Sequence, residues 1–156
     1  MERYQVMIEI GGELPLTLAG ELIHYANDIG AGTDWGDTEP IDLAWLKVTG
    51  SGSEETLDLM VDEGHSLTFD HVKAFCRRNN LTYCSTGYSS TGYECGLEFW
   101  KPGLDKPIER GSDSDGQIVI PLSELRARML NGESLTSVIT YLEAGAEAVP
   151  AFRLKD

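Results

Sequence analysis

Tyr4-Gln5-Val6-Met7-Ile8-Glu9-Ile10 sets Tyr4, Val6, Ile8 and Ile10 against Gln5, Met7 and Glu9, the alternation of a strand with one face buried. Gly11-Gly12 then reads as the punctuation that ends it. Outward from this strand, Leu14-Pro15 leads to Thr17, which can cap a helix. Its apolar residues Leu18, Leu22, Ala26 and Ile29 recur at helical spacing, and Gly30 supplies the stop. From Gly30 to Asp42 the chain reads as a loop too long and too rich in Gly and Asp to be a mere connector. Strands are expected over 43 to 49 and 55 to 62, joined by Gly50-Ser51-Gly52-Ser53 as an acidic hairpin whose outer face carries Glu54, Glu55, Asp58 and Asp62.

A second helix is announced by Thr68 as cap, by Leu67 and Val72 as a hydrophobic staple, and by the buried stripe Phe69, Val72, Phe75 and Cys76. Arg77-Arg78 oppose its C-terminal dipole. Strands over 81 to 88 and 92 to 101 follow across a Ser89 to Gly92 turn, then a polar loop from Lys101 to Ser114 and a short strand, Gln117 to Ile120, that Pro121 ends. Two helices close the chain, patterned by Leu122, Leu125 and Met129 and by Leu135, Val138, Ile139 and Leu142. Asn131-Gly132 separates them, Ser134 caps the second, and a tail follows Pro150. The order predicts one α+β domain over residues 1–156: a ferredoxin-like β-α-β-β-α-β core with an added β-hairpin and a C-terminal helical pair.

Composition narrows the function classes. The chain of 156 residues suits a single hydrophobic core, and 41% apolar content with 8% aromatics is too high for a disordered chain. No apolar run approaches the roughly 18 residues of a membrane helix, and Met1-Glu2-Arg3-Tyr4 enters the first strand without a leader pattern, so a cytoplasmic protein without a membrane partner is expected. Cys76, Cys84 and Cys95 contain no C-x-x-C pair, which argues against a disulfide framework and a zinc clip.

Charge is the unusual quantity, 26 acids against 12 bases for a net of −14. Residues 1 to 66 hold fourteen acids against Arg3 and Lys47, a net of −12, while residues 67 to 156 hold twelve acids against ten bases. The excess is therefore an N-terminal property. Lys73, Arg77 and Arg78 form a basic cluster confined to one helix within a negative field, which disfavours direct nucleic-acid binding.

Several chemical motifs fail on spacing. Asp113-Ser114-Asp115-Gly116 has the centre of an EF-hand loop, but Gly111 and Leu122 stand where its outer ligands belong, so an Asp-Gly turn is expected. His65, His71 and Cys76 match no ligand pattern, and Cys76 reads as a buried structural thiol. Ser85, Ser89 and Ser90 lack the elbow spacing of a nucleophile, and Gly11-Gly12 lacks the rest of a dinucleotide fingerprint. No catalytic residue, cofactor or metal is implied. In Asp34-Trp35-Gly36-Asp37-Thr38-Glu39, the indole either pins the loop to the core or serves as an apolar anchor among carboxylates for a basic partner.

Three segments together, Gly12-Glu13-Leu14-Pro15 between strand and helix, Val72-Lys73-Ala74-Phe75-Cys76, and Glu98-Phe99-Trp100-Lys101-Pro102-Gly103, resemble small acidic uncharacterised proteins of bacterial, phage and plasmid genomes. The resemblance brings no activity with it, but a mobile-element setting implies a defence inhibitor or accessory factor.

The expectation is a non-enzymatic acidic module that binds the basic surface of a protein partner and inhibits a nucleic-acid-handling or defence complex, in the manner of an anti-CRISPR, anti-restriction or DNA-mimic protein. Its contacts would be Asp34, Trp35, Asp37, Glu39 and Asp42 in the loop, with Glu54, Glu55, Asp58, Asp62 and Glu63 on the hairpin. Mimicry needs clustering: spread over roughly 7,800 Å², a net of −14 is about fivefold sparser than duplex phosphate. The alternatives are a small cytoplasmic enzyme, with a polar cleft near His65, His71 or the Tyr88 to Tyr93 hairpin, and an accessory protein whose acidity serves solubility.

Overall fold

A computed structural model describes residues 4–37, 39–52, 54–87, 95–113 and 115–156. Among the described residues, seven strands form one sheet, with five α-helices. The strands are β1 (Tyr4–Pro15), β2 (Leu57–Gly64), β3 (Thr82–Gly87), β4 (Cys95–Trp100), β5 (Ile108–Ser112), β6 (Ile118–Val119) and β7 (Phe152–Lys155). The helices are α1 (Ala19–Asp28), α2 (Leu43–Thr49), α3 (Asp70–Arg78), α4 (Leu122–Leu130) and α5 (Leu135–Glu143). Strand order is β2-β1-β3-β4-β5-β6, antiparallel throughout, and β7 adds to the far end of β1 in parallel.

The mixed α+β class is as expected, but the wiring departs from a β-α-β-β-α-β core. β1 lies between β2 and β3 and is antiparallel to both, so β2 and β3 run parallel to each other around it, joined through α3. The decisive change is at 43–49, which is a helix and not a strand. Asp42 Oδ1 accepts the Trp45 N–H at 2.8 Å and so caps the first turn, and the residue that this segment buries is Leu46, while Leu43 and Val48 face water. The expected acidic hairpin is therefore absent. The strand at 57–64 pairs with β1 instead.

Further expectations are corrected. Gly11-Gly12 does not end β1, because a Cβ at Gly11 would lie 1.8 Å from the Pro150 carbonyl oxygen; the glycine admits the crossing C-terminal chain, and β1 continues to pair with β7. The segment after Pro150 is thus a strand and not a tail, and the polar loop after Lys101 contains β5, held by pairing to β4. Thr17 caps nothing: Leu16–Leu18 first wind as a 3-10 turn, and α1 begins beyond it without a side-chain cap. Thr68 likewise is no helix cap; its Oγ1 accepts the His65 N–H at 2.8 Å, and Leu67, 56% exposed, makes no staple.

Other local readings hold. Gly30 closes α1 with φ +70 and paired bonds, Gly30 N–H to Asn27 O and Ala31 N–H to Ala26 O, and Ser134 Oγ caps α5 by accepting the Ser137 N–H. The turn between β3 and β4 expected at Ser89 to Gly92 lies outside the described residues.

One core cluster joins Val6, Ile8 and Ile10 of β1 with Leu57 and Leu59, with Leu22 and Ala26 of α1, Leu46 of α2, and Val72, Phe75 and Cys76 of α3. This is the helix-covered face. The intervening residues Met7 and Glu9, with their ladder partners Cys84 and Thr86, look to the other face. There Leu97, Phe99 and Val138 are buried outside the main cluster. Residues 145–150 cross that face, with Gly145 against Leu97 and Ile118 and Pro150 against Gly11.

Candidate functional site

The loop from Gly30 to Asp42 is fastened down at several points. Asn27 clasps Ile41 with two reciprocal bonds of 2.8 and 2.9 Å, Gly32 bridges Met60 on the free edge of β2, and Asp62 Oδ2 accepts the Gly36 N–H at 2.8 Å. Loop and β2 therefore form one acidic edge, though not by the hairpin that the sequence suggested. Asp34, Trp35, Asp37 and Asp62 are brought together by this docking, with Asp37 also accepting from Thr33 Oγ1 and from the Glu39 N–H. Asp58 sits beside Glu9 in the β1–β2 ladder and accepts from Thr56 Oγ1. Asp42 is consumed by the α2 cap, and Glu54 and Glu55 lie at the opposite end of β2, where Glu55 O receives the Phe152 N–H. Glu63 is exposed beyond the loop contacts.

Trp35 is 41% exposed and does not pin the loop to the core. It stands at a cleft of about 820 Å³ on the second face of the sheet, floored by Met7, Cys84, Cys95 and Leu97 and walled by Ile118 and Val149. The titratable carboxylates around it are Glu9, Asp113, Asp115 and Glu147, and no Lys, Arg or His lines it among the described residues. Glu147 is shared with Lys101, whose Nζ lies 2.8 Å away. Burial, and then the neighbouring Asp58, hold the Glu9 carboxyl above the usual carboxylate range. Burial pushes the Cys84 thiol up to about 12, as it does Cys76, so neither is a thiolate nucleophile at neutral pH.

Several bases elsewhere are engaged within the fold. Arg78 pairs with Glu21, Lys155 with Glu13, and Arg128 with Glu124 and Glu133, while Arg110 and Arg128 both stack on one ring, Tyr141, at 3.5 and 4.0 Å. By contrast, Asp34, Asp37, Glu39, Asp42, Glu54, Glu55, Asp58, Asp62 and Glu63 form no ion pair among the described residues. Asp113 behaves as the expected turn residue, its Oδ1 accepting the N–H groups of Asp115 and Gln117, and no metal-binding cluster occurs among the described residues.

A second, smaller hollow of about 250 Å³ opens on the helix-covered side, lined by His65, Asp70, Lys73, Ser85, Glu98 and Glu109 among others. Lys73 Nζ lies 3.3 Å from Glu98 Oε1, the other carboxylate oxygen accepts the Tyr83 hydroxyl at 2.6 Å, and that hydroxyl in turn accepts from Arg77 at 2.7 Å. Burial and the bond to Glu98 raise the Tyr83 phenol, keeping it protonated as the donor in this chain. His71 is outside the hollow, stacked on Tyr25.

Glu9 and Glu147 escaped the sequence reading as site residues, and Asp113 and Asp115 entered it only as an Asp-Gly turn. Glu9 carried a signal, since it occupies an outward position of the first strand; Glu147 carried none. No described helix is long and apolar enough to cross a membrane. Comparison with protein-family models, curated proteins and solved structures finds no match to this chain.

Proposed function

We propose that this protein is a cytoplasmic, non-enzymatic acidic module that docks on the basic surface of a protein partner, of the kind a nucleic-acid-handling or defence complex presents, and inhibits that partner. The observation that carries this reading is the cleft on the second face: carboxylates from three separate segments, Glu9, Asp113 with Asp115, and Glu147, line it, no base lines it among the described residues, and Trp35 stands at its edge. A guanidinium or ammonium entering there would meet Glu9, Asp113 and Asp115, which form no ion pair among the described residues, and an indole face, and would relieve the repulsion between Glu9 and Asp58. The acids of the loop and β2, without ion pairs, extend the negative field beyond the cleft and steer a basic surface toward it.

The contact is a local one, and not duplex mimicry over the whole surface. Spreading −14 over 8988 Å² is thinner than the sequence-based area suggested. The mimic, anti-CRISPR and anti-restriction forms of the proposal therefore rest on the acidic edge and cleft alone.

Binding of a fluorescent arginine-rich peptide tests the reading. The combined Glu9→Gln, Asp113→Asn, Asp115→Asn, Glu147→Gln variant is expected to lose at least about tenfold in affinity, about 1.4 kcal/mol, and to flatten the salt dependence. A Glu54→Gln, Glu55→Gln control at the far end of β2 is expected to bind within about twofold of the parent. Equal affinity of the cleft variant and the parent would remove the cleft from the proposal.

A further inference from the structure

Exposed large apolar side chains are not spread evenly over the surface. Ten occur among the described residues, and six of them, Val119, Leu122, Met129, Leu130, Leu135 and Ile139, fall in β6, α4 and α5. None of the 9 residues of α4 is buried, and α5 buries Val138 alone. A helix this short is marginal by itself and owes its stability to a covered apolar face. Arg128 ties α4 down on one side, through Glu124, Glu133 and the Tyr141 ring, but the outer side stays exposed, with Leu130 at 87%.

The charge of this face selects what can cover it. Residues 119 to 143 hold Glu124, Glu133 and Glu143 against Arg126 and Arg128, a net of −1, whereas residues 1 to 66 hold a net of −12. A second copy of the chain, also at −14, is repelled least here. The exposed positions are moreover self-complementary. On α4 the spacing i, i+4, i+8 gives Leu122, Arg126 and Leu130, and on α5 it gives Leu135, Ile139 and Glu143, all exposed. Each stripe carries two apolar residues and one charge, and the two charges are opposite. Arg126 and Glu143 form no ion pair among the described residues.

We propose that this protein forms a weak, two-fold symmetric dimer through the outer face of α4 and α5, with α4 of each copy against α5 of the other. Such a contact is isologous, so the pairing of Arg126 with Glu143 across it occurs twice and the leucines of both copies are covered together. Two helices, each about 14 Å long and about 10 Å across, offer a footprint of roughly 280 Å², small beside the about 800 Å² per partner of a standard interface. The dimer is therefore reversible and depends on concentration. An apolar contact between two bodies of like charge also has its own salt signature. Added salt screens the repulsion and strengthens the contact, the reverse of docking on a basic surface. This face shares no lining residue with the acidic cleft, and the inference does not depend on the docking reading.

Sedimentation equilibrium between about 10 μM and about 1 mM protein, at about 0.1 M and about 0.5 M NaCl, tests it. The parent is expected to be monomeric at the lowest concentration and increasingly dimeric above about 100 μM, with the dimer about threefold tighter at the higher salt. Leu130→Glu, at a position that the fold leaves exposed, is expected to weaken the dimer by at least about tenfold, and Val48→Glu, on the equally open surface of α2, to leave it within about twofold. At the lower salt Arg126→Glu is expected to weaken it by about threefold or more, and the exchange Arg126→Glu with Glu143→Arg to restore it. The proposal is overturned if the parent stays monomeric at about 1 mM at both salts, if Leu130→Glu associates like the parent, if salt weakens the association, or if the charge exchange restores nothing. Monomeric protein that instead binds phosphatidylcholine vesicles, and loses that binding in Leu130→Glu, would overturn it in favour of a lipid surface as the cover.

Discussion

Consecutive residues of β1 serve two unlike environments. Val6, Ile8 and Ile10 point into the cluster covered by α1, α2 and α3, where the charged groups nearby are tied together, Lys73 to Glu98 and Arg77 to Tyr83. Met7 and Glu9 point to the other face, where a chain segment and two short helices leave a wide cleft that no base lines among the described residues. On the first face the half-buried Glu98 is paired with Lys73, whereas on the second Glu9, Asp113 and Asp115 form no ion pair among the described residues. The uncompensated charge contributes nothing to stability that the geometry reveals, which is why the second face carries the functional proposal.

The largest expected effect tests whether the two faces differ in packing. Phe75 is fully buried in the helix-covered cluster, so Phe75→Ala should cost about 3–5 kcal/mol by urea unfolding. Met7 is half-buried on the open face, and Met7→Ala should cost about 1 kcal/mol. Equal losses would mean that the open face is a second closed core and would break the comparison.

A smaller effect separates acids that build the fold from acids available to a partner. Asp42 caps α2, a helix of only 7 residues, and Asp42→Ala should destabilise by about 1 kcal/mol in the same assay. Asp62→Asn keeps an acceptor for the Gly36 N–H and should stay within about 0.5 kcal/mol of the parent. If Asp42→Ala were neutral, the cap would not be what makes 43–49 helical.

That segment also shows where the fold ceased to be legible in the sequence. The helices with long apolar stripes, α1 and α3, and the alternating strands β1, β3 and β4 announced themselves locally, through periods of 3.6 and 2 that need no knowledge of neighbours. Leu43-Ala44-Trp45-Leu46-Lys47-Val48-Thr49 is too short to separate those periods, and its cap decides. Ile108-Glu109-Arg110-Gly111-Ser112 has little strand propensity and is a strand through its register with β4. β7 exists through a parallel pairing to Gly12–Pro15, at the opposite end of the chain. The candidate site follows the same division: the acidic loop was visible as composition, whereas its docking on β2 and the convergence of Glu9, Asp113, Asp115 and Glu147 depend on contacts distant in sequence. A polar cleft near His65 was the mark set for the enzyme alternative, and the smaller hollow lies there.

The smallest effect concerns Glu9 alone and carries a sign. Burial and Asp58 raise its carboxyl in the folded state above its unfolded value, so protonation favours the fold. The associated stability is fully present below the ordinary carboxylate range and is lost as pH rises through the raised value. Glu9→Gln removes this dependence while keeping the shape of the side chain. The variant should therefore be the more stable protein at about pH 7, with the gap closing toward about pH 4, in urea unfolding at the two values. A gap of the opposite sign would mean that a positive group compensates Glu9 within the folded chain, and the cleft would then be no vacant acidic site. Repeating the measurement with the arginine-rich peptide present sharpens the contrast between the faces. A guanidinium beside Glu9 favours the charged form, so the advantage of Glu9→Gln at neutral pH should shrink or reverse when peptide is bound, while Phe75→Ala should lose as much stability with peptide as without it.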